Sequence, residues 1–231
     1  MERKHRMTRR LLLSVAASCS FAAAITVCGQ CPNSSNTSTG GTFCNSSTLT
    51  IATGNTPGAV DGSPDPFGIS VSGMSGAVSS VSVTLNNPTM PYPADVALML
   101  VAPDGRALTF FGGVCERGAD VTFSLSDSGS GLPPFGYYTD TCAATTYKPY
   151  VYEDGIGGGC PSSSFGSPAS TSAACAKNPN GSNTFTSVFA GATPNGTWKI
   201  YAWDYSGYDT QGITGGVMRE TGQPRMPALN L

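Results

Sequence analysis

The sequence predicts an all-β chain: a jelly-roll-like β-sandwich with a long disulfide-containing loop and an incomplete last strand. Three observations carry that expectation. Charged residues make up only 11% of the 231, against 29 Gly and 17 Pro, a turn-rich composition poor in the residues that long helices use. Short runs alternate apolar and polar residues with a period of two, separated by turn residues. No stretch holds a convincing 3.6-residue period, and no internal repeat is present.

The first element is a targeting segment. "MERKHRMTRR" is a basic leader and "LLLSVAASCSFAAAITV" an apolar run of signal-peptide length, so residues 1–27 read as a signal peptide and the protein as secreted or displayed at the cell surface. The same run is close to the lower limit for an uncleaved membrane anchor. Removing its five Lys/Arg and one Glu from the totals of 12 and 14 leaves a formal charge near −6. A chain this acidic, without a basic run, is a poor match for nucleic acid or an anionic membrane surface.

Cysteines agree with export. Cys19 lies in the signal, leaving Cys28, Cys31, Cys44, Cys115, Cys142, Cys160 and Cys175. The odd one is Cys28, which ends "ITVC" in loose likeness to a lipoprotein cleavage site; it is either a candidate for lipidation or removed with the signal. The other six allow 15 pairings; proximity in sequence suggests Cys31–Cys44, Cys115–Cys142 and Cys160–Cys175. "CGQC" at 28–31 lacks the strand and helix that a redox CxxC requires.

Residues 28–48 are dense in Ser, Thr and Asn and read as a linker. Residues 49–217 hold the sandwich. In "AVSSVSVTL" (77–85), Val81, Val83 and Leu85 share a face. "DVALMLVAPDG" (95–105) is apolar on both faces, as a central strand is, and ends in a Pro-Asp-Gly turn that should lead by a hairpin into "RALTFFG". "ADVTFSLSD" (119–127) places Val121, Phe123 and Leu125 in phase. From 128 to 184 the alternation stops, in a Gly/Pro/Ser/Tyr-rich loop of a length that is functional or decorative. Then "ATPNGTWKIYAWDYSGYDTQG" (192–212) opens with Asn195-Gly196, the strongest short hairpin signal. Its strand alternates, with Trp198, Ile200 and Ala202 suited to the interior and Trp203 facing outward.

Four runs in this order, "FGISVSGMSGAVSSVSVTLNNPTMPYPADVALMLVAPDGRALTFF", "ADVTFSLSDSG", "YKPYV" and "VFAGATPNGTWKIYAWDYSGYDTQGITGGV", resemble the P domain (P/Homo B domain). That domain accompanies subtilisin-like proprotein convertases and also occurs in secreted bacterial proteins. The resemblance covers roughly residues 58–217. It implies a non-catalytic jelly-roll-like sandwich that stabilises a neighbouring protease, and some members bind calcium. Two features depart from the family pattern. Met90 stands near the place where members often carry His. "GITGGV" passes into "MRETGQPRMPALNL", so residues 218–231 form an atypical tail, expected not to supply the closing strand and to leave a sheet edge unpaired.

Catalysis is not expected. A Ser-His-Asp or Cys-His site needs a histidine as base, and the single histidine, His5, lies in the signal. Lys148, Lys177 and Lys199 stand in no nucleophile motif. For a metal, Asp95, Asp204 and Asp209 supply hard oxygen ligands of the kind Ca²⁺ takes; the competing reading is Asp as a turn-capping residue. Two function classes follow. One is an exported accessory module partnering a secreted subtilisin-like protease or another cell-surface protein. The other is a surface adhesin or carbohydrate-binding module using Tyr137, Tyr138, Tyr147, Tyr150, Tyr152, Tyr205 and Tyr208, whose competing role is packing the long loop onto the sandwich.

Overall fold

The computed structural model describes residues 40–53, 60–135, 140–152, 174–176, 183–204 and 210–223. Thirteen strands are present among them: β1 (Gly40–Thr53), β2 (Val60–Asp61), β3 (Phe67–Val71), β4 (Ala77–Leu85), β5 (Pro88–Thr89), β6 (Val96–Val101), β7 (Ala107–Gly112), β8 (Phe123–Ser126), β9 (Thr146–Tyr147), β10 (Tyr150–Val151), β11 (Ala174–Cys175), β12 (Gly196–Asp204) and β13 (Thr210–Gln223). One five-residue helix, α1 (Phe185–Phe189), and a 3-10 turn at Pro93–Asp95 complete the described elements.

The strands make two sheets. One runs β1-β13-β4-β8-β9, with β5 also on β13; the other runs β10-β7-β6-β12-β2, with β11 on β7 and β3 on β12. Their inner faces share one core, in which Val81, Val83, Leu85 and Phe123 of the first sheet meet Leu98, Leu100, Phe111 and Trp198 of the second. The protein is an all-β sandwich.

Where the sequence alternates, the structure follows it. Val81, Val83 and Leu85 of β4 are buried, as are Phe123 and Leu125 of β8; Val121 precedes the strand and is exposed. β6 is central and joins β7 through the Pro-Asp-Gly turn, closed by Ala102 N–H to Arg106 O at 2.8 Å. Gly105 takes φ +90° there, a conformation glycine adopts without a Cβ penalty.

Three expectations are corrected. The stretch read as a linker to residue 48 is a strand from Gly40 onward, paired antiparallel to β13 from Gly40↔Thr221 to Thr53↔Thr210. Ladder bonds come from backbone N–H and C=O groups, so a Ser/Thr-rich run can supply them, anchored by buried Phe43, Leu49 and Ile51. The last strand is not cut short. β13 pairs with β1 on one side and with β4 on the other, to Gln223↔Ala77, and the first proline of the tail, Pro224, comes just after it. Finally, Asn195-Gly196 is not a hairpin turn, because what precedes β12 is α1 rather than a paired strand. Gly196 has φ +134°, and a Cβ there would lie 2.8 Å from Pro103 Cβ.

The described residues of the 128–184 stretch contain three two-residue strands, all parallel to their neighbours: β9 on β8, β10 and β11 on β7. β9 and β10 belong to different sheets, so Lys148-Pro149 carries the chain from one sheet to the other. The Cys115–Cys142 disulfide is present. Cys44 and Cys175 are disulfide-bonded as well, while Cys28, Cys31 and Cys160 lie outside the described residues.

Asp127, just past β8, holds α1 in place. Its carboxylate accepts Phe185 N–H at 2.9 Å and Thr186 N–H at 2.7 Å, beside a capping box made by Thr184 and Ser187. These N–H groups have no partner within the helix, and charge-assisted bonds at a helix start stabilise it. Asp127→Ala should lower stability by about 1–2 kcal/mol, measured by urea titration; an unchanged midpoint would mean that Thr184 caps the helix alone.

Candidate functional site

β12 organises the residues singled out by the sequence. Its inward face carries Trp198, Ile200 and Ala202, all buried, and ends on Asp204, which is fully buried. Asp204 stands opposite Val96 of β6 and Val60 of β2. Asp95 immediately precedes Val96, so the structure brings two of the three candidate calcium ligands to the same end of one sheet. Asp209 lies outside the described residues. Calcium takes six to eight oxygen ligands, more than the two carboxylates of Asp95 and Asp204 could provide. Among the described residues no group of three or more His, Cys, Asp or Glu could hold a metal ion.

On the outward face, Tyr201 packs with Ala97, Met99 and Ala107, and half-buried Trp203 lies against this cluster. Two acids missed by the sequence reading adjoin it. Asp61 of β2 pairs with Trp203 in register, and Asp65 follows in the turn before β3. Asp65 is exposed as a residue, and partial desolvation of its carboxyl, then the Asp61 charge, push it above its usual range. Burial, then the Asp65 charge, push the Tyr201 phenol up. The run "VDGSPDP" (60–66) held the only clue, two acids amid Gly and Pro that resemble an ordinary turn.

The sign of the Asp65 effect follows from linkage. Its pKa is raised in the folded chain, so the associated stability is present below the ordinary Asp range and lost as pH rises through the raised value. Asp65→Asn should therefore raise Tm at about pH 7, by a small amount because solvent screens an exposed charge, and leave it unchanged at about pH 3, followed by circular dichroism. An equal shift at both pH values would remove the charge as its cause.

The two ends of β12 differ in construction. At its start, the Asn195 side chain grips the backbone of Met74, accepting Met74 N–H at 3.0 Å and donating to Met74 O at 2.8 Å. Trp198 Nε1 donates to Pro194 O at 2.9 Å, and its ring meets Phe189 edge-on at 5.2 Å. The β6–β7 turn reaches the same loop: Arg106 Nη1 donates to Ala190 O at 2.7 Å, and Asp104 Oδ2 accepts Thr193 N–H at 3.3 Å.

Of the loop tyrosines, Tyr147 and Tyr150 are buried. Tyr147 O–H accepts Ala143 N–H at 2.9 Å, and its ring meets Phe123 edge-on. Both tyrosines join the loop to the core. Tyr137, Tyr138, Tyr205 and Tyr208 lie outside the described residues. Among the described residues of this region the exposed aromatic is Phe135, 43% accessible, stacked on half-buried Tyr152 at 5.1 Å and 25°. Met90 is buried in the core, and its carbonyl accepts Ala119 N–H at 2.9 Å.

No protein-family model matches the chain, and neither a curated protein nor a solved structure matches it.

Proposed function

We propose that the chain works outside the cell as a non-catalytic P-domain-like module, accessory to or derived from a subtilisin-like serine endopeptidase system, and that it acts by stabilisation or protein interaction. One observation carries this reading. The two halves of the motif pattern, "DVALMLVAPDG" and "VFAGATPNGTWKIYAWD", are about a hundred residues apart in sequence. They form neighbouring strands, paired from Lys199↔Val101 to Asp204↔Val96, and Arg106 and Asp104 bond the turn of one to the approach loop of the other. Residues that read as one motif make one structural unit. The lack of any histidine after His5 supports the non-catalytic part. Export by the N-terminal segment, with a lipid at Cys28 as tether, belongs to the same reading.

The test is capture from the source organism's culture fluid with the tagged chain, followed by a fluorophosphonate probe that labels active serine hydrolases. A retained, labelled subtilisin-like protease is expected, and its thermal inactivation should slow when the chain is added back. No labelled protein, or an unaltered inactivation rate, would overturn the reading. Cleavage of casein by the purified chain, persisting through chromatography, would overturn its non-catalytic part.

Calcium belongs to this proposal at the Asp95–Asp204 end. Millimolar calcium should raise Tm and chelation should lower it, with the response reduced in Asp95→Asn. A melt indifferent to calcium would dismiss the ion.

The exposed Phe135 stacked on Tyr152 favours a second reading, a surface adhesin or carbohydrate-binding module, since a flat apolar ring with a polar neighbour suits sugar recognition. Glycan-array binding lost in Phe135→Ala would support it. Tyr147 and Tyr150 are unsuited to that test because their removal would disturb the core.

A further inference from the structure

We propose that Asn195-Gly196 is a latent deamidation site, held closed by the Met74 clamp, and that the reaction, once it occurs, unfastens the clamp permanently. An Asn followed by Gly is the least hindered setting for this chemistry, because the attacking backbone nitrogen has no Cβ beside it. That nitrogen, from Gly196, bonds to Cγ of Asn195 and gives up its proton as the Cγ–Nδ2 bond breaks and ammonia leaves. Water then opens the cyclic imide at either carbonyl, giving aspartate or isoaspartate. The net change is one water consumed and one ammonia released, with no redox partner.

Asn195 and Gly196 are both exposed, so water reaches the step. What restrains it is the side chain's position. Oδ1 accepts Met74 N–H and Nδ2 donates to Met74 O; Cγ swings onto the Gly196 nitrogen only if both bonds open. Two ordinary hydrogen bonds slow the reaction on the order of ten- to a hundredfold. The same geometry makes the product incompatible with the clamp. A carboxylate oxygen in place of Nδ2 meets Met74 O acceptor to acceptor, and isoaspartate adds a methylene to the main chain where Gly196 passes close to Pro103. Met74 is a buried core residue between Gly73 and Gly76, both at positive φ, so losing the clamp removes the two bonds from Asn195 that hold the Met74 backbone.

The experiment incubates the full chain in mildly alkaline buffer, native and in urea, and follows a one-dalton gain at Asn195 by peptide mapping. Asn180-Gly181, the chain's other Asn-Gly step, serves in urea as the reference for the unrestrained rate. Asn195 should match that reference in urea and react at least tenfold more slowly in the native chain. The Asn195→Asp variant should melt below the parent at neutral pH and recover at acid pH, where a protonated carboxyl can again donate to Met74 O. Equal rates in the native and unfolded chain, or an Asn195→Asp variant with an unchanged melt, would overturn the proposal.

Discussion

Trp198→Ala is expected to lower stability by about 3–5 kcal/mol, enough to shift the melting midpoint by roughly 10 °C in a sandwich of this size. The indole is fully buried and stands where three features meet. It fills the interior face of β12, it meets Phe189 of α1 edge-on, and its N–H satisfies the buried Pro194 carbonyl. Truncation opens a cavity beneath the helix and leaves that carbonyl without a donor. Trp198→Phe separates the two effects. It keeps most of the packing and loses the bond, so its cost should be about 1–3 kcal/mol, that of one orphaned buried acceptor. Denaturant titration followed by far-UV circular dichroism measures both. Equal losses in the two variants would place the energy in the hydrogen bond rather than in the ring's volume.

The Cys115→Ser/Cys142→Ser double variant should lose about 3.5 kcal/mol, the chain-entropy value for a bond with a sequence separation of 27. Neighbouring contacts show what the bond secures. Arg117 N–H meets Asp140 O at 3.0 Å and Cys142 N–H meets Gly118 O at 3.1 Å. Cys115 itself sits at φ +60°, a region costly for residues other than glycine, which surrounding structure must hold. Reductant is the wrong tool, because it would also attack the bonds of Cys44 and Cys175. The double variant isolates one bond, and an unmoved guanidinium midpoint would mean that backbone pairing alone holds the loop.

What could be read from the sequence was whatever depends on side-chain alternation. β4, β8 and the phase of Trp198 place apolar residues on one face of an extended chain, and burial follows that face; the β6–β7 hairpin was legible instead as a run apolar on both faces around a turn, and it is buried on both. What could not be read depends on the backbone or on distant partners. β1 and β13 hold each other by main-chain bonds across polar and Gly-rich sequence, and the two-residue strands β9 to β11 are too short for any period. Asn195 shows a competition between two roles. Its side chain can favour a tight turn or bond to distant backbone, and here Met74, 121 residues away, is its partner. At the candidate site, Asp95 and Asp204 could be chosen by residue type alone, whereas Asp61 and Asp65 owe their interest to Tyr201 and Trp203 on another strand.

The place of β13 bears on how this chain becomes a folded protein at all. It lies between β1 and β4, so the six-stranded sheet joins the earliest described strand to the latest, across some 180 residues at Gly40↔Thr221. Such a pairing closes a very long loop, which slows folding and leaves partner edges open until it forms. While residues 210–223 are still in the ribosome, β1 and β4 have no strand to insert between them, and the sandwich cannot close. A chain of this design stays threadable during synthesis and reaches its final sheet only once its last strand is free. Late closure thus leaves the β1 and β4 edges open until residues 210–223 are free to insert between them.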